Sequence, residues 1–227
     1  MQKNSRWHTL DTAEHVADAV FHEILAAAAQ AILARGAFKL VLAGGGTPEK
    51  VYRLLAEADA DWSKWHVYYG DERCLPIDHA DRNSVMATQA FLGRVAIPVE
   101  QVFTIPAELG PEAGALSYRK TIAAALPFDM VLLGMGEDGH TASLFPGHVH
   151  DPEELAHAVY NSPKPPPERV SMSAKALGST LRLIFLVTGK SKQDAVKHWR
   201  QGQDLPVATI VTENVIDVYL DGEADKA

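Results

Sequence analysis

Residues 128–147, FDMVLLGMGEDGHTASLFPG, constrain the chain most. The apolar run 130–133 is short enough for a buried strand. It ends in Gly134, Gly136 and Gly139, with Glu137, Asp138, His140, Thr141 and Ser143 between and after them. A buried parallel strand that breaks into a glycine-rich loop carrying acid, imidazole and hydroxyl groups is where open α/β sheets place ligands. Asp138 and His140 stand two residues apart. At that spacing a carboxylate can hold an imidazole while the free ring nitrogen takes a proton from water. Alone, the same residues also read as a solvated polar turn with local hydrogen bonds.

The pattern recurs along the chain. Residues 38–43 read as a strand running into Gly44-Gly45-Gly46-Thr47-Pro48, with Thr47 as N-cap and Pro48 at the first helical position. A strand, three glycines and a helix start make an anion site, because free N–H groups and the helix dipole face the ligand. The turn at 44–48 matches neither the G-x-x-x-x-G-K-[ST] loop nor the G-x-G-x-x-G fingerprint, so it suits a single phosphate better than a dinucleotide. The strand at 65–69 ends in Gly70-Asp71-Glu72-Arg73. Asp71 and Arg73 are candidates for touching a substrate; the plainer reading is a surface ion pair.

A capping box from Asp11 to Glu14 opens a long first helix. Val16, Val20, Ile24 and Ala28 line one face, and Arg35-Gly36 closes it. A short helix through Val85, Met86 and Phe91, a strand at 102–105 and a proline-opened helix at 111–126 lead to the central strand. Residues 170–173 and 181–187 are the next strands. The second leads through Thr188-Gly189-Lys190-Ser191-Lys192 into a helix, and residues 215–220 form the last strand. This alternation predicts one α/β domain over 1–227, a mainly parallel sheet with helices on both faces. It also predicts that GGGTP, GDER and GEDGH meet at one sheet edge.

Composition narrows the function. With 47% hydrophobic and 22% charged residues, the chain can bury a core without staples. Its only cysteine, Cys74, rules out an intrachain disulfide, and no His-containing partner motif adjoins it. The polar start, residues 1–10, lacks a signal-peptide core, and no apolar run is expected to span a bilayer. These features predict a cytoplasmic protein with no membrane partner. A net charge of −8 argues against nucleic acid and means that an anionic substrate needs a local cationic pocket. His148, His150 and His157 fit no standard zinc spacing, so no metal is expected. The run from Asn161 to Arg169, NSPKPPPER, reads as a stiff crossover rather than a domain boundary.

The chain resembles the 6-phosphogluconolactonases within the glucosamine-6-phosphate isomerase/6-phosphogluconolactonase family. The matching segments are LAGGGTPEKVYRLL at 42–55, YYGDERCLP at 68–76, the central stretch at 128–148, SPKPPPERVSMS at 162–173 and VTGKSKQDAV at 187–196. They span most of the chain in the family's order, and GxDGHTASLFP is the most specific of them.

The resemblance implies a Rossmann-like fold and a cytosolic, cofactor-free and metal-free esterase-type hydrolase acting on a phosphosugar lactone, monomeric or weakly self-associating. It implies His140 as general base and Asp138 as its orienting group. Gly45, Gly46 and Thr47, with Arg169 and Lys192, would hold the 6-phosphate. Arg73 or loop N–H groups would stabilise the oxyanion. The family's G-x-x-K pattern favours Lys192 over Lys190. Asp81-Arg82-Asn83 stands where many relatives have Asp-Ser-Asn, and Arg169-Val170-Ser171-Met172-Ser173 where many have R-V-T-L-T. Both departures bear on details of substrate contact. Two other readings are a glucosamine-6-phosphate deaminase and a non-catalytic sugar-phosphate sensor. The deaminase pattern carries a glutamate where this chain has Phe145, and no helix-turn-helix precedes residue 36.

Overall fold

Runs of residues that are apolar on both sides, such as FKLVL and LIFLV, suit strands covered on both faces. A computed structural model describes residues 5–226; residues 1–4 and 227, which belong to the expected domain span and polar start, lie outside the described residues. The strands are β1 (Ser5–Leu10), β2 (Phe38–Leu42), β3 (Trp65–Tyr69), β4 (Asp71–Arg73), β5 (Val102–Phe103), β6 (Met130–Gly134), β7 (Ala156–Val159), β8 (Arg169–Met172), β9 (Leu183–Val187) and β10 (Ile216–Asp221). The helices are α1 (Ala13–Arg35), α2 (Gly46–Leu55), α3 (Asn83–Ala90), α4 (Pro111–Ala125), α5 (Ala174–Gly178), α6 (Gln193–Arg200) and α7 (Pro206–Thr209).

Seven strands form a parallel sheet in the order β1-β10-β9-β6-β2-β3-β5. From β2 the chain moves outward through β3 to β5. It then returns to β6 on the other flank of β2 and continues to β9 and β10. The order therefore reverses between β2 and β6, and the loops leaving their carboxyl ends diverge around a crevice. Helices cover both faces, as the alternation predicts.

Local structure departs from expectation in several places. Residues 170–173 do not extend the parallel sheet: β8 is the middle strand of a separate antiparallel sheet, β4-β8-β7. GDER is not a plain loop either, because β4 begins at once after Gly70, whose carbonyl accepts from the Met172 N–H at 2.7 Å. No apolar alternation marks β4, since its buried Asp71 and Glu72 are satisfied by polar partners inside the protein. The polar edge strand β1 is equally unmarked. Arg6 and His8 both reach the buried Asp217 of β10, at 2.8–2.9 Å.

Thr12, not Asp11, caps α1, accepting from the His15 N–H at 3.2 Å. Gly36 closes α1 at φ +77°. By length and composition α1 is apolar enough to cross a membrane, contrary to the sequence expectation. Here its Val16, Val20, Ile24 and Ala28 stripe is buried in the core.

Two buried tyrosines fix the strand ends that carry the loops. The Tyr52 hydroxyl of α2 donates to the Ala43 carbonyl at 2.8 Å and accepts from its N–H at 2.9 Å. The Tyr118 hydroxyl of α4 accepts from the Tyr69 N–H at 2.9 Å and donates to its carbonyl at 3.1 Å. Burial drives both phenols far above their ordinary pKa, so they remain neutral staples.

Candidate active site

The crevice holds a cavity of about 260 Å³. Gly44 to Pro48, Asp71, Arg73, Asn83, His140, Arg169, Thr188 and Lys192 are among its lining residues. Thus Gly45, Gly46, Thr47, Asp71, Arg73, His140, Arg169 and Lys192 meet at one site, as the sequence reading required. Asp138 stands behind His140 rather than on the wall.

The glycine turn enters its helix one residue earlier than expected. Gly45, at φ +107°, is the N-cap of α2, and Gly46 is the first helical residue. Thr47 is therefore inside the helix, and its hydroxyl bonds the Thr188 hydroxyl at 2.6 Å. Side chains do not cap this helix start, which leaves its N–H groups and dipole directed at the cavity. Gly44 is needed for a different reason. A Cβ there would lie 2.1 Å from the Asn83 Oδ1.

The GEDGH loop folds on itself. The Gly136 N–H donates to the His140 carbonyl at 2.8 Å, and the Gly139 N–H to the Gly136 carbonyl at 3.1 Å. This turn brings the Asp138 Oδ1 to 2.5 Å from the His140 Nδ1 and 3.2 Å from the His140 N–H. Nε2 is left as the free ring nitrogen. Burial raises the Asp138 carboxyl, but the hydrogen bonds from His140 outweigh it, and the group sits below its ordinary pKa. Asp138 therefore remains an anion wherever His140 works as a base.

Asp71 joins three loops. Its Oδ2 accepts from the Ser143 hydroxyl at 2.6 Å, its Oδ1 accepts from the Asn83 amide at 3.1 Å, and the Arg169 guanidinium lies 3.9 Å away. Arg169 is 5% exposed, and its other nitrogens donate to the Lys164, Pro165 and Pro166 carbonyls at 2.9–3.2 Å. The proline-rich segment is thus a cradle for this guanidinium. Burial, and then the neighbouring Arg73, lower the Arg169 pKa against the opposing pull of Asp71. Burial also lowers that of Lys192. Partly desolvated cations of this kind favour an anion that neutralises them.

Lys192 lines the cavity, whereas Lys190 is exposed outside it. Arg82 and Ser171, which lie in the two departures from the family pattern, do not reach the cavity. Arg82 is 1% exposed and binds Glu72, Glu108 and the Leu75 and Ile105 carbonyls. Ser171 accepts from the Ser143 N–H at 3.2 Å behind the loop. The departures therefore alter the support of the site rather than its wall. Sequence reading missed Asn83, Thr188 and the wholly buried Glu72. Glu72 accepts from the N–H groups of Arg73, Asn83 and Ser84 and so sets the start of α3. Thr188 was within reach of the strand-end rule that found the others.

The sequence matches the glucosamine-6-phosphate isomerase/6-phosphogluconolactonase family over residues 11–219. The chain belongs to this family. A protein of Oryza sativa subsp. indica named probable 6-phosphogluconolactonase 4, chloroplastic, is 40% identical over 183 residues, covering 72% of this chain and 56% of that protein. The chain thus spans little more than half the length of that relative. The 6-phosphogluconolactonase of Mycobacterium leprae is 39% identical over 182 residues, covering 73% of this chain and 74% of the relative. Among solved structures, the 6-phosphogluconolactonase of Thermotoga maritima superposes with a TM-score of 0.89 at 28% identity, covering 96% of this chain and 99% of that one. These likenesses agree with the family expected from the DGHTASLFP stretch, and the sheet order with its fold class.

Cys74 carries no sign of catalysis, since burial, above all, pushes its thiol up to about 11. His148, His150 and His157 lie near one another as rings. Among the described residues, no group of three or more His, Cys, Asp or Glu side chains is placed to hold a metal ion.

Proposed function

We propose that the chain hydrolyses 6-phospho-D-glucono-1,5-lactone to 6-phospho-D-gluconate, a step of the oxidative pentose phosphate pathway. The observation that carries this reading is the Asp138–His140 pair at 2.5 Å, with His140 in one cavity with Arg73, Arg169, Lys192 and an uncapped helix start. A base and a phosphate-sized cationic end in a cavity of about 260 Å³ suit a small anionic ester.

In this mechanism the His140 Nε2 takes a proton from water as the water oxygen attacks the lactone carbonyl. Asp138 holds Nδ1–H and stabilises the imidazolium. The ring oxygen then leaves, takes the proton back from Nε2, and the chain opens to the acid. General-base help is worth about 10²–10⁴-fold, so stabilising the oxyanion must supply much of the rest. We assign that role to Arg73, whose guanidinium lines the cavity and is steadied by the Asp81 carbonyl. The N–H groups of Gly136, Gly139 and His140 are used within their own loop, and those at the α2 start are assigned to the phosphate. Asp71 orients Arg169 and the Ser143 loop. Gly45, Gly46, Thr47, Arg169 and Lys192 bind the phosphate.

In this reading the reaction proceeds without metal or cofactor, with His140 supplying the base and Arg73 the charge at the oxyanion. The lone thiol needs no oxidising compartment, which supports a cytoplasmic location. The net charge of −8 favours a small-molecule partner over nucleic acid, and we propose a monomer or weak homo-oligomer.

The test is hydrolysis of freshly generated δ-lactone with chelator present and spontaneous hydrolysis subtracted. Turnover that survives chelation supports the reading. No acceleration by folded protein, or ammonia release from glucosamine 6-phosphate, overturns it.

A further inference from the structure

One side chain touches both halves of the site without lining its cavity. Phe145 is 3% exposed. Its ring centroid lies 4.7 Å from that of His140, tilted by 41°, and the Arg169 guanidinium carbon lies 5.7 Å from the same centroid. His140 and Arg169 line the first cavity. Phe145 instead lines a second cavity of about 720 Å³, bounded also by Leu144, Pro206 and Val211. The ring therefore backs the base and the arginine and stands between them and a larger space.

We propose that Phe145 is a positioning residue for this site: its ring sets the plane of the His140 imidazole and the height of the Arg169 guanidinium, and bars water from reaching the base from the second cavity. The inference rests on the lactonase reading for its kinetic consequences. The bond from Nδ1 to Asp138 fixes one point of the imidazole but leaves its tilt free. A packed aromatic neighbour removes that freedom through its directional π contact. The carbonyls of Lys164, Pro165 and Pro166 fix Nε and Nη2 of Arg169. The Phe145 face then supports the guanidinium by a partly desolvated cation–π contact. One ring thus couples the group that performs chemistry to a group that binds substrate.

Phe145→Leu and Phe145→Met keep an apolar side chain and remove the ring. Each is made in the parent and in a His140→Ala background. Thermal unfolding, kcat, KM and the calorimetric affinity for 6-phosphogluconate are measured for each. We expect kcat to fall about tenfold in the parent, and KM and the product Kd to rise about fivefold, through a base and a cation displaced by fractions of an ångström. In the His140→Ala background the residual kcat falls no further, because Phe145 acts on chemistry through His140. A role confined to stability predicts a lower Tm with kcat and product Kd unchanged per folded molecule. That result, or equal falls in kcat in both backgrounds, overturns the proposal. If the parent fails to turn over the lactone, the lactonase reading falls alone. The product-affinity arm still decides the Arg169 half, with an unchanged Kd in both Phe145 variants overturning it.

Discussion

Gly136 separates the chemistry of the site from its fold. A Cβ at this position would lie 2.0 Å from the His140 Nδ1, 2.1 Å from its Cε1 and 2.7 Å from the Asp138 Oδ1. Ordinary contact begins near 3.4 Å, so in Gly136→Ala the imidazole must retreat by at least ~1.4 Å. All three atoms are side-chain ends, and the Gly136 backbone is not among the positive-φ positions. The dyad therefore yields before the chain does. A misplacement of about 1 Å can cost 10²-fold, and the base itself is worth about 10²–10⁴. We expect kcat to drop about 10²–10³-fold, or ~3–4 kcal/mol of barrier, with Tm within a few degrees of the parent. A pH-indicator assay of acid release from fresh lactone measures kcat, and a thermal melt checks the fold. A variant that is fully folded and within fivefold of parental kcat would refute the reasoning.

Three further outcomes follow from the same geometry. Lys192→Ala should raise KM about tenfold or more with little change in kcat, whereas Lys190→Ala, outside the cavity, should change neither. Steady-state kinetics that reversed the two lysines would reassign the phosphate contact. Glu72→Ala leaves three N–H groups without their acceptor and strips the buried Arg82 of one partner; it should cost about 3–5 kcal/mol in urea unfolding, and a loss below about 1 kcal/mol would contradict the network. Burial raises the Asp217 carboxyl, but bonds from Arg6 and His8 and the charges of Arg6 and Arg182 pull it below its ordinary value. A depressed folded pKa means that its stabilisation is present above the unfolded value of about 3.9 and is lost as pH falls through the folded one. Asp217→Asn should therefore be less stable than the parent at neutral pH and converge on it in acid. Parallel stability curves would argue against the linkage.

Legibility in the sequence followed the physics of each element. The strands β2, β6 and β9 were readable because a parallel strand covered on both faces must be apolar throughout. The loops at their carboxyl ends were readable because glycines and functional side chains concentrate there. β1, β4 and β7 were not readable. Arg6 and His8 hide an edge strand behind ion pairs with Asp217, while Asp71 and Glu72 hide another behind buried hydrogen bonds. At the site, eight of the nine expected residues reach the cavity wall, and Asp138 supports His140 from behind. What sequence alone could not supply was the support behind them: Glu72 under α3, Ser143 on Asp71, and the proline-rich carbonyls around Arg169. Ser143 and Asp71 are 72 residues apart and meet only when the fold closes. Glu72 lies 12 residues from Ser84, and the carbonyls around Arg169 lie 3–5 residues before it, but both contacts need a backbone bend that residue spacing alone does not specify.

The most direct test compares His140→Ala with the parent on fresh 6-phosphoglucono-δ-lactone, chelator present, at matched folded protein. The account predicts that kcat falls about 10²–10⁴-fold while 6-phosphogluconate still binds within a few-fold of the parent. A His140→Ala variant that retains near-parental kcat would contradict the assignment of the base and, with it, the mechanism built on the Asp138–His140 pair.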